Sequence, residues 1–115
     1  MCVALAQENY PKTFTIDQGL PHNHIRGLAQ DQNGFLWVGT WDGVSRWNGY
    51  EYRNYYNNPS DTTSLIYFQA DDIVVDFQNN VWVSSLSGIS KYNRWNDNFT
   101  RFQAGINSKI ILDLD

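Results

Sequence analysis

This sequence predicts an all-β fold, about two four-stranded antiparallel units with partial flanking strands, and three observations carry that expectation. Aromatic residues make up 16% of the 115 residues, five of them Trp, and large rings pack well on pleated surfaces. A pattern of turns and apolar strands recurs at a spacing of 45 residues. Within the recurring strands both faces are apolar, as a sheet clamped between two neighbours requires.

The N-terminus comes first. Ala4-Leu5-Ala6 before Gln7 has the small-x-small form of a signal-peptidase site, yet only six residues precede Gln7. Residues 1–12 therefore read either as the remnant of an export signal and leader or as a short apolar stretch that matches by chance. Residues 13–19 follow, with Thr13 to Asp17 expected as the outer strand of a neighbouring unit.

The first unit spans 20–56 and the second 70–104. Ile25 to Gln30 and Ala70 to Val75 are predicted first strands. Asp31-Gln32-Asn33-Gly34 is then a tight turn in which Asn and Gly supply positive φ, with Asn79-Asn80 in its place in the second copy. Phe35 to Thr40 and Val81 to Ser85 are second strands. Gly43 and Gly88 punctuate the next turn before Val44 to Trp47 and Ile89 to Tyr92. Tyr50 to Tyr55 and Phe99 to Gln103 close the units. The last connection is tight at Asn48-Gly49 and longer, by about four residues, through Arg94 to Asn98. Residues 57–69 are the linker, and 105–115 read as the truncated start of a third unit, with Ile110, Leu112 and Leu114 alternating.

The copies align without a gap. Asp31 meets Asp76, Trp37 meets Trp82, Gly43 meets Gly88 and Ser45 meets Ser90, while Val44/Ile89, Arg46/Lys91 and Trp47/Tyr92 are like for like. Four short strands per repeat fit a propeller blade or a sandwich. A sandwich sheet has a wet face, whereas here Leu36 and Val38 alternate with Phe35 and Trp37. A β-propeller fragment is the expected fold.

The stretch from Leu20 to Asn48 resembles the two-component regulator propeller repeat. The matching motifs are Gly19-Leu20-Pro21-His22-Asn23-His24-Ile25, Asp31-Gln32-Asn33-Gly34, Leu36-Trp37-Val38-Gly39-Thr40 and Gly43-Val44-Ser45-Arg46. The linker Asn58-Pro59-Ser60-Asp61-Thr62-Thr63-Ser64-Leu65 is similar to that family's link between blades. The second copy departs from the pattern at Ser84-Ser85 and Asn80. The resemblance implies the sensing end of a hybrid histidine kinase: tandem periplasmic propellers, often detecting carbohydrate, ahead of further sensor, kinase and DNA-binding regions. It also favours the export reading of the N-terminus.

Bulk properties narrow the partners. A net charge of −4 with eight scattered basic residues argues against nucleic acid, and no apolar run approaches the ~20 residues of a membrane span. Cys2 is the only cysteine, so no internal disulfide or cysteine metal site is expected, and no cofactor is implied. His22 and His24 share one side of an extended segment; a metal would need a third ligand such as Asp42, and a polar loop is the simpler account. Asp71 and Asp72 face opposite ways in a strand, and Asp31 and Asp76 read as turn residues. No nucleophile elbow or phosphate loop occurs, so no catalytic residue is assigned.

Strand topology places the loop before strand one and the turn between strands two and three on one edge. That edge gathers His22, His24, Trp41 and Asp42, then Tyr67, Phe68, Leu86 and Ser87. An aromatic ring beside a carboxylate suits sugar stacking, so His24, Trp41 and Asp42 are the candidate ligand residues. Trp41 folded back onto the next blade is the alternative. Asp31, Gly34, Trp37, Gly43, Trp47, Asp76, Trp82, Gly88 and Tyr92 are expected to be structural, and Trp95 to cap its loop. A non-catalytic, ligand-sensing fragment is the leading reading, with an oligosaccharide ligand and the remaining blades and downstream sensor domains as partners. A lyase-like propeller enzyme or a protein-binding scaffold is the alternative.

The isolated chain is expected to self-associate. Two blade faces of about 300 Å² each, half apolar and left wet, forgo about 8 kcal/mol at ~25 cal/mol/Å². That is comparable with a total stability of roughly 5–15 kcal/mol. Sedimentation velocity across a concentration series should show oligomers; a sharp, concentration-independent melt of a monomer contradicts the expectation.

Overall fold

A computed structural model describes residues 19–103. The expectations for Ala4-Leu5-Ala6, for Thr13 to Asp17 and for the alternating segment at 109–114 lie outside the described residues.

Strands β1 (Ile25–Gln30), β2 (Leu36–Thr40), β3 (Gly43–Trp47) and β4 (Tyr52–Tyr55) form one antiparallel sheet in that order. Strands β5 (Asp72–Val75), β6 (Val81–Ser85), β7 (Gly88–Asn93) and β8 (Asn98–Gln103) form the second in the same way. These are two propeller blades. Their order follows from connections too short for anything but neighbouring antiparallel strands.

Three of the local differences from the sequence reading have an identifiable physical cause. The ladder of the second blade begins at Asp72, not Ala70, because the Ala70 amide donates to Thr40 O of the first blade at 3.0 Å. Strand β4 begins at Tyr52, not Tyr50, because the amides of Tyr50 and Glu51 are taken by the Asn48 side chain at 2.9 and 3.0 Å. In the first turn Gly34 has the positive φ (89°), and Asn79 (68°) holds the same position in the second copy, while Asn33 and Asn80 stay in ordinary conformations.

The last connection also needs correcting. Both β3–β4 and β7–β8 are joined by four residues, 48–51 and 94–97. The second copy does carry extra residues, since the partners of Val44 and Ile89 are Tyr55 and Phe102. They extend the hairpin by one rung, Asn93–Asn98, instead of lengthening its loop. Trp95, at the tip of that hairpin, is 99% exposed and caps nothing. The positive φ of Asp97 (55°) closes the turn, aims its carboxylate back at the first blade and leaves the Trp95 ring in solvent.

Asp31 and Asp76 do more than turn the chain. Asp31 Oδ1 accepts the amides of Asn33 and Phe35 at 2.9 and 3.0 Å, and Oδ2 accepts Trp37 Nε1 at 2.9 Å. Asp76 repeats this with the amides of Gln78 and Asn80 and with Trp82 Nε1. Arg94 also donates to Asp31 Oδ2, at 3.3 Å; on Asp76 the Asn80 amide group fills that place. Burial pushes the Asp76 carboxyl up, but the bonds from Trp82, Asn80 and Gln78 outweigh it and hold it below the ordinary value.

Both faces of the first blade are apolar, as expected. Leu36 and Val38 pack with Leu20, Leu28, Trp47 and Tyr52 on one face. On the other, Trp37, Val44 and Tyr55 meet Leu65, Ile73, Val81, Val83, Tyr92 and Phe99 of the linker and second blade. Trp37 is fully buried there, its ring 4.7 Å from that of Tyr92. Trp82, its counterpart, is partly exposed beside Phe102 on the far face of the second blade.

The blades meet most closely at their inner strands. A Cβ on Gly27 would lie 3.0 Å from Ile73 N, and one on Gly39 3.1 Å from Ala70 Cβ. Gly27 and Gly39 are cross-strand partners, so the gap is narrow because both lack side chains.

A second repeating device sits ahead of each blade. Leu20 and Leu65, 45 residues apart, are 3% and 2% exposed. Asn54 Nδ2 holds Gly19 O at 2.8 Å, and Arg101 Nε holds Ser64 O at 2.9 Å. Arg101 also reaches the carbonyls of Asn58, Asp61 and Leu65, so the linker is gripped along its length. Leu65→Ala should therefore cost about 2–5 kcal/mol, read by urea denaturation at fixed chain concentration.

On the edge carrying the β7–β8 hairpin the blades are joined by polar contacts. Asp97 accepts the hydroxyls of Tyr55 and Tyr92 at 2.6 and 2.7 Å and pairs with Arg53. Burial pushes the Asp97 carboxyl up, but these donors outweigh it and hold it below the ordinary carboxylate range. Its stabilisation is thus fully present above the unfolded value of about 3.9 and is lost as pH falls through the depressed folded value. Asp97→Asn should lower stability by about 1–2 kcal/mol at pH 7, after discount for partial exposure. In denaturation curves at pH 7 and pH 2.5, the difference from the parent should shrink at the lower pH.

Candidate functional site

The opposite edge, where the segments leading into β1 and β5 meet the β2–β3 turn, carries the candidate site. Trp41 and Asp42 form that turn. Thr40 Oγ1 tightens it, donating to Gly43 O at 2.9 Å and accepting the Asp42 amide at 3.1 Å. Gly43 has φ 101°, and a Cβ there would lie 2.4 Å from Tyr55 O, so the turn needs glycine. The Gly43 amide donates to Phe68 O at 2.7 Å, and Ala70 N bonds Thr40 O, so two backbone bonds tie this turn to the segment entering the second blade.

Trp41 is not folded into the core. It is 40% exposed, and the His24 ring stacks on it with centroids 3.8 Å apart and planes 16° from parallel. His22 lies 5.9 Å away and tilted. Its Nδ1 accepts the His24 amide at 2.9 Å. Trp41 N donates to His24 O at 3.2 Å, so ring and backbone contacts fix the pair together.

Beside this pair is an open cavity of about 350 Å³ lined by His22, Trp41, Phe68 and Gln69. That volume lies at the lower end of small-molecule sites. The Phe68 ring is half-exposed and packs on Tyr67 at 4.5 Å. Of the sequence-predicted residues, the structure brings His24 and Trp41 together. Asp42 is exposed and lies outside the cavity lining.

Gln69 carries no motif that would single it out. Its signal lies in the repeat register, since it occupies in the second copy the place of His24 in the first. Leu86 takes the place of Trp41 in that copy and is 73% exposed, so the second blade offers no aromatic there. Among the described residues no three His, Cys, Asp or Glu side chains are grouped to hold a metal ion.

The other edge is built differently. Asn79 Oδ1 accepts the Gln32 amide at 2.7 Å, Asn79 Nδ2 donates to Asn33 Oδ1 at 2.7 Å, and Arg94 donates to Asn79 O at 2.7 Å. Its polar groups are largely spent on holding one blade to the other.

Comparison with known proteins agrees with this architecture. Residues 19–42 match the two component regulator propeller family. Over 54 residues the chain is 43% identical to histidine kinase P4 of Formosa agariphila, covering 47% of this chain and 4% of that protein. The extracellular domain of a hybrid two-component system from B. thetaiotaomicron superimposes with a TM-score of 0.71 at 25% identity, over 84% of this chain and 14% of that one. The extracellular domain of a second system of that organism, described as one-component, gives 0.64 at 22% identity, over 79% of this chain and 13% of that one. The chain thus spans a small part of the proteins it matches.

Proposed function

We propose that this chain, two blades of the two-component regulator propeller type, belongs to the ligand-sensing region of a membrane-bound histidine kinase and works outside the cytoplasmic membrane. Its role is binding, not catalysis, and the kinase chemistry resides elsewhere in the parent protein. The similarity to a histidine kinase and to extracellular sensor domains supports this reading.

The observation that carries the ligand site is Trp41: a half-exposed indole at the mouth of a cavity, on the edge where loops from successive blades converge. His24 takes one face of the indole, and a sugar ring with its apolar C–H face is the fitting class of ligand for such an exposed ring. In this reading Asp42, one residue along and exposed, meets a hydroxyl at the rim. Calorimetric titration of the chain with an oligosaccharide panel tests this. Trp41→Ala should weaken binding about 5-fold, from roughly 1 kcal/mol of lost stacking. It should leave the β-sheet circular dichroism unchanged, since the ring lies outside both core clusters. Unchanged affinity in the folded variant returns Trp41 to a packing role with His24.

A further inference from the structure

We propose that the cavity takes an uncharged saccharide ring, sandwiched between the free face of Trp41 and Phe68 and read by Gln69 and His22. The inference rests on Trp41 being a ligand platform and adds which face is used, which residues complete the site and which class of sugar is admitted.

The face follows from the stack. His24 covers one side of the indole at 3.8 Å, which leaves one side for a ligand. The cavity is lined by Trp41 and by Phe68, from the segment leading into the second blade. The two walls are fixed relative to each other, because Gly43 N–Phe68 O and Ala70 N–Thr40 O bond the segments that bear them. A ring entering here touches two blades at once, on a spacing set by backbone and not by flexible side chains.

The class follows from charge. Among the described residues neither Lys nor Arg lines the cavity, and the polar side chains there are the Gln69 amide and the His22 imidazole. Charged groups on this edge, among the described residues, are Asp42, Asp71, Asp72 and Arg26, and Arg26 is already paired with Asp71 at 3.5 Å. Three carboxylates against one engaged guanidinium repel a uronate or a sulfate ester, which would need an uncommitted cation. A neutral hydroxyl pair needs a donor and an acceptor side by side, and the Gln69 amide supplies both.

The test titrates the full chain with cellotetraose, xylotetraose and mannotetraose, and with tetragalacturonate and a sulfated carrageenan tetrasaccharide. Calorimetry is read alongside Trp fluorescence, and each variant is checked by circular dichroism. At least one neutral probe should bind, ten-fold or more tighter than either anionic probe, and Phe68→Ala and Gln69→Ala should each weaken it about 5-fold. If Trp41→Ala weakens a neutral probe while Phe68→Ala and Gln69→Ala do not, the sandwich is overturned and the Trp41 platform stands. Anionic probes binding as tightly as neutral ones, or alone, in a Trp41-dependent way overturn the charge argument and likewise leave the platform. Binding indifferent to Trp41→Ala, or no binding by any probe, overturns both.

Discussion

In each blade one carboxylate holds the first turn and the central strand in a fixed relation. Asp31 takes two turn amides on one oxygen and the Trp37 indole N–H on the other, and Asp76 does the same for Trp82. A hairpin turn fixes strand register, and a slip of one residue would send every side chain to the opposite face. The Asp–Trp bond resists that slip, because it ties the turn to a ring whose burial depends on which face it occupies. Trp37 is fully buried with its only polar atom satisfied, which removes the cost of enclosing an indole N–H.

The contact between blades follows from that register. Trp37 reaches Tyr92 of the second blade, while Gly27 and Gly39, on the same face, let the inner strands come together. Inner strands that close and outer strands that splay make adjacent blades radiate from an axis, and the outer gap is then filled. Leu65 enters it on a linker gripped by Arg101, and Asp97 joins Arg53 and Tyr55 of one blade to Tyr92 of the other. The second blade presents Asp72 and Ser84 where the first presents Gly27 and Gly39, and these two are again cross-strand partners. Its far face therefore cannot accept a neighbour as closely at the inner edge.

The two edges divide the labour. One is crowded with side chains bonded between blades, including Gln32, Asn33, Asn79, Arg94 and Asp97. The other is joined mainly by backbone bonds, Gly43 N–Phe68 O and Ala70 N–Thr40 O, so its side chains stay available. Trp41, Phe68, Gln69 and His22 surround a cavity there because the backbone already does the joining. Loops placed by a rigid scaffold and relieved of structural duty are where binding residues collect.

The sequence by itself determined the blades. A gapless recurrence of Asp, Trp, Gly and Ser at one spacing fixes strands, turns and the alternation of faces, because each rests on local chemistry: period-two side chains, a glycine turn, an apolar pair. It also placed Trp41 on the same edge as His24, since loop positions follow from strand order. What it could not supply were contacts between segments that only the fold brings together. Nothing local indicates that His24 stacks on Trp41, that Gln69 and not Asp42 lines the cavity, or that Ala70 spends its amide on Thr40 instead of joining a strand. Nor could it show that the extra residues near Trp95 become a rung of ladder and leave the ring in solvent. The cavity lining and the Ala70 bond depend on how close one blade lies to the next. That distance is set by Gly27 and Gly39, two residues without side chains, whose effect exists only once the second blade is packed against them.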